Sequence, residues 1–380
     1  MSFPVVALGD VVDVFSGFAW KSSGFNTEGN GVPVIRIQNV AQPDSNFVYW
    51  DDEYQDRFLI KQDDLLLSLS GSFRVDKWSG PVGLLNQRVV KLTPQEGLDA
   101  NYFRNFMQSH LKEIEAMGRH ALVNNVSVAD LKKIEIPLPP LPEQRRIAAI
   151  MDKADALRAK RREAIAKLDQ LLQSVFLEMF GDPVTNPKGW PVGKISDLLE
   201  SAKYGSSEKA DLQGEVPILR MNNITYSGEM NLAALKYISS AKAEEKYSVQ
   251  PGDILFNRTN SKELVGKTAV YEGPIPMAYA GYLVRARTAN GHAPEYISAF
   301  MNSSYGKSTL QAMCKSIVGM ANINAREFQA ISIPIPPCEL QQVFRSHVIA
   351  IRERKRLLES QLHKFESLFS SLQQRSFAVR

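Results

Sequence analysis

Two hydrophobic rhythms alternate along the 380 residues. In the first, short apolar and β-branched runs such as "VPVIRI" (32 to 37), "DLLLSLS" (64 to 70) and "LNQRVVKL" (85 to 92) are bounded by Gly, Pro, Asn and Asp, which predicts strands separated by turns. "NYFRNFMQSHLKEIEAM" (101 to 117) changes to helical spacing, with Asn101 placed to cap it, and "APEYISAFMNSSYGKSTLQAM" (293 to 313) reads alike. These segments predict mixed α/β heads.

In the second rhythm proline and glycine vanish, from 143 to 180 and again from 338 onward. Apolar or small residues at Ile147, Ile150, Ala154, Leu157, Ala164, Leu168, Leu171 and Val175 advance by threes and fours, interrupted by Arg161. Phe344, Val348, Ile351, Leu358, Leu362, Phe365, Phe369 and Leu372 keep the same rhythm around Lys355. Each pattern predicts one stripe on a helix ~50 to 60 Å long at ~1.5 Å per residue. Such a stripe must be covered, and the other helix, matched in length, is the economical partner. Docking of each helix on its own head is the alternative.

The switch between rhythms occurs at "IEIPLPPLPEQRRI" (134 to 147) and at "ISIPIPPCELQQVF" (331 to 344). Proline lacks an N–H and holds its predecessor extended, so these segments end a strand and stop helix from spreading backward. Pro142 is tolerated in a first helical turn, and Glu143 suits the positive end of the helix dipole.

The junction is one of several repeats in register. "FPVVALGDVVDVFSG" (3 to 17) matches "WPVGKISDLLESAKYG" (190 to 205), and "VPVIRIQNV" (32 to 40) matches "VPILRMNNI" (216 to 224). "KQDDLLLSLSGS" (61 to 72) matches "QPGDILFNRTNS" (250 to 261), and "YFRNFMQS" (102 to 109) matches "YISAFMNS" (296 to 303). "NNVSVADLKKIEIPLPP" (124 to 140) matches "ANINAREFQAISIPIPP" (321 to 337). The offset drifts only from 184 residues (32 against 216) to 197 (136 against 333), as loop insertions would cause. The chain is two copies of one unit, a head followed by a helix.

Composition adds little: 44% hydrophobic, 23% charged, net charge +4, which permits a polyanionic partner without demanding one. Cys314 and Cys338 are too few for a disulfide framework or a zinc site. "MSFPVVALGD" lacks the features of a signal peptide, and no apolar run reaches the ~20 residues of a membrane span, so a soluble, cytoplasmic protein is expected.

Catalytic signatures are missing. "VGKTAV" (265 to 270) has Ser261 where a P-loop needs glycine, and reads as a strand. His110, His120, His292, His347 and His363 have no metal-ligand spacing, "TNPKGW" lacks the second proline of an amino-methyltransferase motif, and Asp51–Asp52 and Asp63–Asp64 read as turn residues. No catalytic or metal residue is assigned. What recurs instead is polar side chains of nucleic-acid type at strand ends: Arg36, Gln38 and Asn39 in "RIQN", Arg220, Asn222 and Asn223 in "RMNN", then Ser70, Ser72, Arg74 and Lys77 against Asn257, Arg258, Lys262 and Lys267. Arg pairs with guanine and Asn or Gln with adenine in the major groove, while Ser and Lys suit phosphates. Ordinary surface polarity explains any one such loop. Both copies placing different clusters at corresponding positions favours two readers of different sequences.

With "IPLPPLPEQRRIAAIMDKADAL" (136 to 157), "LLQSVFLEMFGD" (171 to 182) and "PGDILF" (251 to 256), the chain resembles, over essentially its whole length, a specificity subunit of a type I restriction–modification system. The resemblance implies a mixed α+β architecture with pseudo-two-fold duplication: target-recognition domains at 1–140 and 182–337, and spacer helices at 141–181 and 338–380 forming an antiparallel coiled coil. Each domain would read half of a bipartite double-stranded DNA target. Two methyltransferase subunits and the restriction/translocase subunits would dock on the helices and bind S-adenosylmethionine, ATP and Mg, leaving this chain without a cofactor or catalysis. Outward basic residues on the helices are the expected docking face: Arg145, Arg146, Lys160, Arg161 and Arg162, with Arg352, Arg354, Lys355 and Arg356. "PPCELQQVF" departs from "PPLPEQRRI", which leaves equal contacts by both helices open. The rival readings are the recognition part of a fused restriction–modification enzyme and a coiled-coil adaptor without a DNA role.

Overall fold

The computed structural model describes residues 3–44, 46–71, 73–118, 126–243, 245–317 and 320–377. Ser72, His120 and the start of the "NNVSVADL" repeat lie outside the described residues. The chain forms two compact units, one of Met1–Arg161 with Gln361–Arg380 and the other of Arg162–Ser360.

In the first unit a four-stranded sheet runs in the order Val12–Ser16, Val89–Pro94, Leu65–Ser68, Val75–Lys77. The second unit repeats that order with Leu199–Tyr204, Leu283–Thr288, Ile254–Asn257 and Thr268–Val270. A second sheet is also duplicated. In unit one Val32–Ile35 lies between Val48–Trp50 and Gly83–Leu85; in unit two Val216–Leu219 lies between Lys236–Ile238 and Met277–Tyr279. The odd parallel pairing recurs too, Ile35 with Leu85 and Leu219 with Tyr279. Gly17 and Gly205 mark equivalent crossings where the chain touches another backbone. A Cβ would come within 2.2 Å of Asn86 O at the first and 2.4 Å of Ala280 O at the second.

The apolar positions of the strands and of the helices Ala100–Ser109 and Pro294–Asn302 fill the core of each unit. Two details differ from the sequence expectation. Asp99, not Asn101, caps the first of these helices: its carboxylate accepts from the N–H groups of Asn101 and Tyr102 at 3.0 Å each. The helical stretch also breaks near His110, and Leu111–Gly118 follows as a separate helix. The copy breaks likewise at Ser303.

Long helices span Leu141–Phe180 and Cys338–Phe377, 40 residues each. Within each unit, partner positions rise on one helix as they fall on the other, so the pairing is antiparallel. In unit one, Arg158 lies over Phe369 (4.3 Å) and Arg161 bonds Gln361. In unit two, Asp169 meets Lys355 at 2.6 Å and Phe176 meets Phe344 at 5.8 Å between ring centres. The inner stripe follows Ile147, Met151, Ala154, Arg158 and Arg161, then Leu168, Leu172 and Phe176. Ile150, Leu157 and Leu171, expected inside, face out at 39%, 40% and 45% exposure. The charges that seemed to interrupt the stripes, Arg161 and Lys355, are part of the inner contacts.

The junction is held by equivalent groups in both copies. Gln144 is buried; its amide donates to Pro139 O (2.7 Å) and Gly97 O (2.9 Å), and its oxygen accepts from Asp99 N–H (2.8 Å). Gln341 donates to Pro336 O (2.9 Å) and accepts from Ala293 N–H (3.1 Å). Tyr102 and Tyr296 donate to Pro137 O (2.8 Å) and Pro334 O (2.6 Å). The far end of the other helix then closes on that tyrosine. Phe377 lies 5.4 Å from Tyr102, and Phe180 lies 4.7 Å from Tyr296.

Candidate nucleic-acid interface

The antiparallel register of the main sheet sorts the loops. Ser16 pairs with Val90 and Ser68 with Val89 at one end of the sheet, and Val12 pairs with Pro94 and Leu65 with Leu92 toward the other. The loop after Pro94 carries Gly97 and Asp99, which Gln144 ties to the start of the long helix. The polar loop residues 17–24, 69–71, 73–74 and 86–88 therefore lie at the end opposite the helix junction. In unit two the same argument places 205–215, 258–267 and 280–282 opposite the junction at Ala293.

Most sequence-selected polar residues are indeed brought to this end, but in different roles. Asn39 and Asn223 are buried at 0% and 1% exposure, and their Oδ1 atoms accept from Arg36 N–H (3.0 Å) and Arg220 N–H (2.9 Å). Each closes a turn, as an Asn three residues after the capped N–H does in a helix cap or Asx turn. The half-buried guanidiniums of Arg36 and Arg220 each donate to a carbonyl of the next loop, Asn46 O (3.1 Å) and Ala234 O (3.4 Å). Gln38 and Asn222 stay exposed in the same turns.

In the strand-end loops, Ser70 and Asn257 are buried and Arg74 and Lys262 are exposed, whereas the half-buried Lys77 pairs with Leu65 and so lies at the junction end, away from this group. Lys267 is half-buried and its ammonium donates to Met221 O (2.9 Å) and Ile224 O (2.5 Å), tying its loop to the Arg220 turn; burial holds its pKa below the ordinary lysine value. Arg258 stacks 4.9 Å from the Tyr204 ring and donates to Gly281 O (3.3 Å). Asn257, Arg258, Lys267 and the Arg220 turn thus form one contiguous group. Residues with no sequence signal beyond an aromatic beside glycine join them: Tyr204 and Tyr282, 45% and 53% exposed, and in unit one Phe18 at 48%. Rings exposed at a polar loop end supply flat surfaces of the kind that stack on bases or sugars.

The helix positions chosen as a docking face divide. Arg145, Arg146, Arg162 and Arg354 are exposed, Arg146 pairing with Glu143 at 2.8 Å. Arg352 and Lys355 are not outward: they are 8% and 7% exposed, Lys355 held between Asp169 (2.6 Å) and Glu229 (2.9 Å) and Arg352 bonded to Glu272. A charge on the inner stripe of a paired helix cannot reach solvent freely, so it pairs with carboxylates at the edge of the stripe, Asp169 and Glu229 being 44% and 29% exposed. Arg161 is half-buried for the same reason. No helix among the described residues is long and apolar enough to cross a membrane, and none of their His, Cys, Asp or Glu side chains form a group of three or more placed to hold a metal.

Comparison with known proteins agrees with this arrangement. The model of the type I restriction modification DNA specificity domain matches residues 2–167 and 187–347, once per copy. The chain is 24% identical over 372 residues to the type I restriction enzyme EcoBI specificity subunit of Escherichia coli, covering 88% of this chain and 76% of that one. It is 26% identical over 276 residues to the EcoKI specificity subunit of Escherichia coli K12, covering 66% of this chain but only 58% of the relative. In fold it resembles the type I restriction–modification S subunit of M. genitalium, at TM-score 0.62 and 14% identity, with 100% of this chain and 97% of the other superposed. A chain solved for complex assembly and conformational transition of the type I R-M system follows at TM-score 0.58 and 16% identity, covering 99% and 97%. With the family model matched across both copies, this chain belongs to the type I restriction–modification DNA specificity family, as a non-catalytic subunit that recognises DNA.

Proposed function

We propose that the heads at 1–140 and 182–337 each read one half of a bipartite duplex target, while the helical segments 141–181 and 338–380 fix the unread gap. The observation that carries this reading is the duplication of a scaffold down to strand register, with polar loop ends that differ between copies. One fold, two surfaces: that is what two sequences read by one chain require. The readers are the exposed Gln38, Arg74, Asn222 and Lys262, with Arg258, Tyr204 and Tyr282 beside them; Asn39, Asn223, Ser70 and Asn257 shape the loops from behind. Arg36 and Arg220, each already bonded to a carbonyl, add positive charge for the phosphates.

The helices also carry the partner subunits, two modification subunits and then the restriction subunits. Exposed apolar side chains fit this role better than the arginines alone: Ile150 and Leu157 in unit one, Leu171, Leu177, Val343 and Leu357 in unit two. A 40-residue helix is ~60 Å long, more than one DNA turn of ~34 to 36 Å, which lets two readers address one face of the duplex. The test is to delete one heptad from each helix, 159–165 and 359–365, and to map methylated sites in the assembled complex. The gap should shorten, or methylation should cease, with no change of base in either half-site. A change of base identity would refute the division of labour.

A further inference from the structure

We infer that Lys355, Arg352 and Arg356 are positioning residues that fix the second head's angle on its helices and so restrict the gap to one length; this rests on the bipartite reading above. Both units share a first mount at the start of the helix, the buried glutamine staple and the tyrosine closed by a phenylalanine. A mount at one place leaves a head free to rock about it. Unit two adds a second mount further along. Lys355 lies fourteen residues beyond Gln341, about 21 Å at 1.5 Å per residue. Its ammonium bridges Asp169 on the first long helix and both carboxylate oxygens of Glu229 on the head, at 2.6, 2.9 and 2.9 Å. On the same stretch of helix, Arg352 three residues before Lys355 and Arg356 directly after it both bond Glu272, also on the head.

These charges lie beyond the last buried apolar contact of this helix with the head, at Val348. Beside them a solvent-open pocket of about 380 Å³ lies between head and helix, where Met230, Leu232, Val270 and Pro274 line it alongside these charged groups. The ion pairs bridge a place that side-chain packing leaves open. Burial works against charge on Glu272, but Arg352 and Arg356 outweigh it and hold the carboxyl below its ordinary pKa. Burial likewise opposes the Lys355 charge and is outweighed by Asp169 and Glu229, which raise it.

Unit one uses the same helix positions otherwise. Aligning Gln144 with Gln341 sets Asp155 against Arg352 and Arg158 against Lys355. Asp155 and Arg158 pair with each other at 2.6 Å, and Arg158 covers Phe369 of the other helix, so these positions join helix to helix rather than helix to head. Its polar tie to the head is at Asp152, which accepts from Arg104 (2.6 Å) and Asn105 (2.9 Å), only about 12 Å beyond Gln144. Among the described residues, the distant ionic clamp between head and helix belongs to the second unit.

The experiment compares the wild-type subunit with Glu229→Gln/Glu272→Gln, each assembled with its modification subunits, by sequencing-based mapping of methylated sites. The wild type should give one gap length. The variant should keep the bases of both half-sites and lose gap exclusivity, methylating sites one base pair longer or shorter. An unchanged single gap, with only a lower melting temperature, would show the clamp to be structural and overturn the proposal. Should the double variant unfold the head, Glu229→Gln alone, which leaves Lys355 with Asp169, decides by the same criterion. A wild-type target that is not bipartite would overturn the parent reading together with this one, before any variant is considered.

Discussion

Unit one and unit two hold the helices by the same buried groups and differ where polar side chains meet solvent. Gln144 and Gln341, Tyr102 and Tyr296, Phe377 and Phe180 are paired in chemistry and geometry. Facing solvent, Gln38 of one copy stands where the other has Asn222, and along the helix the second copy adds the clamp at Lys355. Burial explains the contrast. A buried amide or ring has one set of partners and tolerates little change, whereas an exposed loop on a rigid sheet can change residues without loss of the fold.

The shared part of this comparison is tested by the largest expected effect. Phe180→Ala and Phe377→Ala each remove a ring that is 4% or 2% exposed and should destabilise their own units by about 3 to 5 kcal/mol, to similar extents, in denaturant titrations followed by near-UV circular dichroism. Markedly unequal losses would break the equivalence of the two mounts.

The differing part is sharpened by Lys355→Met against Arg158→Met, equivalent positions on the two helices. Removing Lys355 leaves Asp169 and Glu229 facing each other without a cation. Because these acids are 44% and 29% exposed, solvent moderates the penalty to about 1 to 3 kcal/mol. Removing Arg158 leaves Asp155 at 42% exposure and should cost about 1 kcal/mol or less. Equal costs would mean that the clamp adds nothing to the second unit.

A smaller, pH-dependent difference should appear at Glu295, which stands where unit one has Asn101. Burial raises the Glu295 pKa, with Arg345 and a backbone bond opposing it in part. Its folded pKa thus lies above its unfolded one, and the native state retains a proton that the unfolded chain releases. Stability from this group is present below the ordinary glutamate pKa of ~4.3 and is lost as pH rises through the folded value. Glu295→Gln should gain on the wild type as pH rises across that window in melting experiments, and match it at lower pH. A gain confined to acid pH would contradict the assignment.

The duplication, the junctions and the long helices were legible in the sequence because local chemistry sets them: proline stops a helix, and three-four spacing makes a stripe. Less legible was which way a polar residue faces. The sequence pattern points Lys355 and Arg352 outward, although Lys355 falls on the inner stripe; the carboxylates that receive it, Asp169 and Glu229, are far off in sequence. The same pattern draws Ile150, Leu157 and Leu171 inside, because apolar positions on two neighbouring stripes look alike when counted along the chain. Among the candidate readers, Asn39 and Asn223 share the spacing Arg-x-x-Asn in both copies, a turn-capping signature that strand-end polarity hides until the Oδ1 bond to the arginine N–H is seen.

The most direct test of the account exchanges the first head, residues 1–135, for that of another family member and maps methylated sites in the assembled complex. One half-site should change to the donor's, with the second half-site and the gap length retained. A change in both half-sites, or in the gap, would contradict the claim that each head reads independently on a common helical spacer.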